Sequence, residues 1–93
     1  MQERRIEQRL VAMVRQHGGL ALKLTSPTMA GVPDRLVLLP GGRAVFVELK
    51  APGKKLRPLQ HKRKAQLETL GFRVAVLDSR EAIQSFLESE VMP

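Results

Sequence analysis

The sequence predicts an α/β fold, a mixed β-sheet flanked by helices with its elements in the order αβββαβα. Three observations carry that expectation. The N-terminal stretch repeats apolar residues at spacings of three and four, two Val/Leu/Phe-rich runs are joined by Pro40-Gly41-Gly42-Arg43, and a helical pattern is followed directly by a short apolar run.

Residues 3 to 17 read as the first helix. Ile6, Leu10, Met13, Val14 and His17 recur on one face, and Gly18-Gly19 ends it. Leu20 to Leu24 suits a short strand, and the following TSPTMAGVP is rich in turn and loop formers. Arg35 to Leu39 and Ala44 to Lys50 form a hairpin, because the two glycines between them supply the positive backbone angles of a tight turn. After the loop Ala51 to Lys55, a helix starts near Pro58, where the missing N–H costs nothing, and stops at Gly71. Phe72 to Leu77 is an apolar run suited to a buried strand. Ser79 then caps a last helix that carries Ile83, Phe86 and Leu87 on one face, with Ala82 where a reciprocal capping box would need Glu or Gln.

A chain of 93 residues fits a single domain over residues 1–93. It has no Cys, which removes disulfides, thiolate zinc sites and cysteine nucleophiles from consideration. So small a core leaves a dimer interface or a bound metal as a natural support. No apolar run reaches the roughly 20 residues that span a bilayer, and the charged start MQERRIEQRL is unlike a signal peptide, so a cytoplasmic protein is expected. No glycine loop opens a helix, which speaks against a nucleotide cofactor.

The formal net charge is +7, a balance that favours a polyanionic partner such as DNA. The charge is also segregated. Lys50, Lys54, Lys55, Arg57, Lys62, Arg63 and Lys64 lie in one stretch that contains no acidic residue, whereas the tail after Leu77 is mainly acidic.

Chemistry concentrates at one end of the hairpin. Strand alternation puts Glu48 and Lys50 on the same face, about 6 to 7 Å apart along the backbone, with Leu49 on the other. The hairpin brings Asp34 beside them. Two carboxylates about 5 Å apart repel by roughly 3 kcal/mol at an effective dielectric near 20, and a bound cation reverses that sign. Mg²⁺ or Mn²⁺ suits such oxygen donors, whereas zinc would want His or Cys. In phosphodiester hydrolysis such an ion acidifies a water and stabilises charge on the phosphoryl and leaving oxygens. Lys50 would orient the water and offset charge growing on the phosphate. An Asp…Glu-x-Lys pattern alone is common by chance, but other features gather around it. Glu3 and Glu7 project into the apolar arc of helix one, and Gln60 shares the inward side of its helix with Leu56, Leu59 and Leu67. Arg63 projects onto the middle of that arc as well; it either snorkels out by its stem or reaches into the cleft.

The strings Gly31-Val32-Pro33-Asp34-Arg35, Phe46-Val47-Glu48-Leu49-Lys50 and Leu59-Gln60, preceded by a helix carrying Glu7, resemble the VRR-NUC family of the PD-(D/E)xK nuclease superfamily. The resemblance covers nearly the whole chain. It implies a restriction-endonuclease-like core, dependence on Mg²⁺ or Mn²⁺, and hydrolysis of DNA phosphodiesters. Asp34 and Glu48 would be metal ligands, joined by Glu7 and the backbone carbonyl of Leu49, with Lys50 the catalytic lysine and Gln60 the motif glutamine. Glu7 is preferred to Glu3 because it stands 11 residues before Gly18, similar to the spacing in archaeal junction resolvases. Lys54, Lys55, Arg57, Lys62, Arg63 and Lys64 would contact DNA. Members made of this domain alone, many from phages, resemble Holliday junction resolvases, which implies a homodimer acting on four-way junctions in the host cytoplasm. A flap or unspecialised nuclease, a non-catalytic DNA-binding module and a homodimeric interaction protein are the competing readings. His17 and His61 have no neighbours that make a zinc or HNH site, and the former is expected at the core edge, the latter in solvent.

Overall fold

In the computed structural model, which describes residues 2–91, the chain forms α1 (Glu3–Gln16), β1 (Leu20–Lys23), β2 (Arg35–Leu39), β3 (Arg43–Leu49), α2 (Pro58–Thr69), β4 (Val74–Leu77) and α3 (Arg80–Val91). This is the expected αβββαβα order, with strand ends displaced by one or two residues. The strands lie side by side as β1-β2-β3-β4. The first two pairings are antiparallel and β3–β4 is parallel, so the sheet is mixed. Gly41 and Gly42 turn the β2–β3 hairpin with φ of 88° and 76°, a region any side chain would strain.

One face of the sheet is the core. Val37, Leu39, Val45, Val47, Leu49 and Leu77 pack against Ile6, Leu10 and Val14 of α1 and Ile83, Phe86 and Leu87 of α3. Each fully buried aliphatic side chain there contributes roughly 1.5–3 kcal/mol. Ser79 caps α3 as expected, its Oγ accepting from the Ala82 N–H at 3.0 Å. At the far end of the sheet the buried Glu90 carboxylate is paired with Arg73 and Arg43, tying α3 to the strands.

The other face is largely open, and two expectations change there. The run 72 to 77 is not a buried strand: β4 is an edge strand of four residues, Leu77 alone is buried, and Val76 and Phe72 are exposed. Nor does α2 turn an apolar side into the core. None of its residues is buried, and Leu59 is 42% exposed. Helix α2 rests instead on β4 and on the loop before β2, where Gly31 approaches so closely that a Cβ would lie 2.6 Å from the Leu59 carbonyl oxygen.

Candidate active site

The site forms where β2 begins and β3 ends. Asp34 is fixed there by two bonds: its backbone carbonyl accepts from Leu24 N–H at 2.9 Å, and its Oδ2 accepts from Leu49 N–H at 2.8 Å. The second bond joins the start of one hairpin strand to the end of the other. These two bonds hold Asp34 beside Glu48.

Glu48 and Lys50 are almost fully enclosed, 3% and 8% exposed. Alternation accounts for the pair, since Leu49 between them points into the core. Burial, above all, pushes the Glu48 carboxyl up to about 8, helped by its hydrogen bond to Asp34 and the negative charge of that neighbour. Lys50 pulls the other way and Glu3 adds to the rise. Near neutral pH, Glu48 is thus a protonated acid hydrogen-bonded to Asp34.

Helix α1 supplies its carboxylates to the same place by two routes. Glu7, Glu3, Arg4 and Lys23 line a cleft of about 240 Å³ with Asp34 and Leu49. Glu3 also lines a second hollow with Lys50, Lys54, Lys55 and Arg57, so it stands between the two. The Glu7 carboxylate is gripped from outside the carboxylate pair. Arg35 donates to its Oε2 from Nε at 3.2 Å, and Lys23 lies at 3.6 Å. Arg35 is itself oriented by donating to the Ala21 carbonyl at 2.9 Å. Sequence reasoning missed Arg35 and Lys23. The signal was available, because Arg35 follows Asp34 directly and strand alternation must turn it to the opposite face, toward α1.

Gln60 does reach toward the loop after β3, but as a cap. Its Oε1 accepts from the Arg57 N–H at 2.9 Å, closing the first turn of α2. Arg63, half-buried, turns to the loop before β2: its Nε donates to the Ala30 carbonyl at 3.0 Å, and Nη1 donates to Gln66. Lys64 pairs with Glu68 at 3.1 Å. Of the basic run, Lys54, Lys55, Arg57 and Lys62 keep their side chains exposed and without an acidic partner among the described residues. His17 is half-buried, its Nδ1 2.8 Å from the Met13 carbonyl oxygen, and His61 is exposed, so each histidine lies where expected.

The donor chemistry fits a hard dication held by two protein carboxylates. Asp34 and Glu48 adjoin each other and a proton now bridges their repulsion, a role that a cation with oxygen preference can take over. Among the described residues no three His, Asp or Glu side chains group as a ready-made cage, and the Glu7 carboxylate is engaged by Arg35. No helix of the described residues is long and apolar enough to cross a membrane.

Comparison with known proteins gives the fold's relatives and the family. A solved VRR-NUC domain superimposes with a TM-score of 0.86 at 31% identity, covering 92% of this chain and 94% of its own. The predicted nuclease p44 of Acyrthosiphon pisum secondary endosymbiont phage 1 is 52% identical over 81 residues, 87% of each chain. The model of the VRR-NUC domain matches residues 2–81. With that span, that identity and that fold, the chain belongs to the VRR-NUC family of nuclease domains.

Proposed function

We propose that this protein is a divalent-metal-dependent DNA endonuclease that acts on branched DNA as a homodimer. The observation that carries the catalytic part is buried Glu48 against half-buried Asp34, tied by the Leu49–Asp34 bond, with buried Lys50 beside them and a basic loop at the edge. Asp34 and Glu48 would hold Mg²⁺ or Mn²⁺, with the Leu49 carbonyl and Glu7 as further oxygen donors. When bound, such an ion supplies Lewis-acid activation of water and stabilisation of the leaving oxyanion.

The remaining work belongs to the chain. Lys50, held on the face of Glu48, orients the attacking water and offsets negative charge that grows on the phosphate. Arg35 and Lys23 hold Glu7 at the cleft wall, where its carboxylate can accept a hydrogen bond from that water. Lys54, Lys55, Arg57 and Lys62 take backbone phosphates and set the register of the strand over the carboxylates. Gln60, by capping α2, fixes Arg57 among them. The preference for branched DNA is supported by family resemblance, and the homodimer by that resemblance and by the open apolar sheet face.

A cleavage panel tests the proposal. Equal amounts of four-way junction, flap, single strand and linear duplex are incubated with Mg²⁺ or Mn²⁺. Metal-dependent cutting, greatest on the junction and abolished by Asp34→Ala or Lys50→Ala, is the expected result. DNA binding without metal-dependent cutting overturns the enzymatic reading, and equal cutting of all four substrates overturns the branched preference.

A further inference from the structure

We infer that the outer face of α1 is a second phosphate-binding surface, separate from the basic run at 50–64, which holds another duplex segment of the same branched substrate. This rests on the proposed function and gives it a basis in the chain's own residues. The two acidic residues of α1, Glu3 and Glu7, both line the cleft with Asp34. At 100° per residue, Arg5 lies 200° round the helix from Glu3, and Arg9 lies 200° from Glu7. Arg5 and Arg9 thus lie on the side of the helix opposite its two carboxylates, while Arg4 stays with the carboxylates at the cleft.

The arginine side is built for a polyanion. Arg5, Gln8, Arg9 and Ala12 line a shallow hollow of about 380 Å³, with the small Ala12 leaving room for a backbone to approach. Arg9 continues into an adjoining hollow of about 290 Å³ that it shares with Arg80 at the start of α3. Glu88 closes that far end, its carboxylate accepting from Gln84 at 3.1 Å. Among the described residues none of Arg5, Arg9 and Arg80 has an acidic partner. An ordinary solvent face of a helix mixes signs at i, i+4, and a like-charged pair such as Arg5–Arg9 is unfavourable in isolation. Arg5 and Arg80, moreover, stand in first turns, where the helix dipole disfavours a cation. Bound phosphates relieve all three costs, and α1 itself, roughly 10 Å thick, separates them from the segment lying in the cleft.

The test compares the wild type with Arg5→Gln/Arg9→Gln, using labelled four-way junction and linear duplex of equal total length, in EDTA so that nothing is cut. The double variant is expected to lose about tenfold in junction affinity. Its slope of log affinity against log salt should become shallower by about 4 on the junction alone, two contacts being lost from each subunit of the dimer. Arg5→Lys/Arg9→Lys should recover both. The thermal midpoint should stay level or rise, since a repulsive pair is removed. An unchanged junction affinity and slope overturns the inference, as does an equal loss on both DNAs, which would make the face part of one continuous duplex track. A wild type that binds neither DNA overturns the proposed function as well.

Discussion

Glu48 is where a single residue reports on the whole site. Its carboxyl titrates near 8 in the folded protein, against an ordinary value of 4.5. A dication needs the ionised form, so below pH 8 metal uptake must expel the proton that Glu48 shares with Asp34. Calorimetry of Mn²⁺ binding in buffers of different ionisation enthalpy should therefore show close to one proton released per site at pH 6.5. Metal affinity should rise about tenfold per pH unit up to roughly pH 8 and level off above it. No proton release would mean that the pair is not the metal site. The same shift affects stability with a definite sign. A carboxyl raised on folding favours the fold below pH 4.5, and that contribution is lost as pH climbs through 8. Metal-free Glu48→Gln, which cannot ionise, should then melt above the wild type at pH 9, with the gap closing toward pH 4.5. A wild type that melts higher at pH 9 would show that Glu48 is not held protonated.

The helices and strands show how one site can rest on unequal supports. Asp34 is carried by a loop that α2 clamps through two contacts, Arg63 to the Ala30 carbonyl and Gly31 against Leu59. Helix α2 buries no residue of its own, so these contacts carry much of its attachment. Gly31 has φ of 83°, and its Cβ would strike backbone. Gly31→Ala should cost about 1–3 kcal/mol in stability and displace the loop, lowering kcat at least tenfold while DNA affinity stays near wild type. Arg63→Met should do the same more mildly, and a matching fall in DNA affinity in either variant would show the clamp to be a binding contact instead. The hairpin and its Asp34–Glu48–Lys50 end were legible in the sequence, because turn glycines and two-residue alternation are local signals. Leu59 and β4 were misread for one reason, which also left Arg63 open. A helical or apolar pattern tells which residues share a face but not what covers that face, and here the cover is a loop for α2 and solvent for Val76. Gln60 was found by its place one turn into α2, yet its bond to Arg57 is a capping interaction that any helix start could use.

Over the whole molecule, the sheet is finished on one side only. Leu20 and Leu22 alternate to the same side of edge strand β1, 58% and 44% exposed, while Phe72 and Val76 are exposed at the opposite edge. Edge strands that keep large aliphatics in water invite pairing unless another chain covers them. A second copy is the occupant that the homodimer reading requires, and the charge of +7 on each chain fixes how such a dimer must respond to salt. Two basic subunits held by apolar contact repel each other, so added salt should tighten the dimer by screening, whereas it weakens DNA binding by removing the gain from counterion release. Sedimentation equilibrium across a salt series should show that opposite pair of trends. Leu20→Lys/Leu22→Lys should raise the dimer Kd at least about a hundredfold, because each substitution is made twice per dimer and each exposed Leu contributes on the order of 1.5 kcal/mol when covered. The variant should keep its fold, since neither leucine belongs to the core, and should nick one strand of a four-way junction without cutting its symmetric partner. A wild type that stays monomeric at every salt concentration, or a double-lysine variant that dimerises as before, would remove this face from the interface.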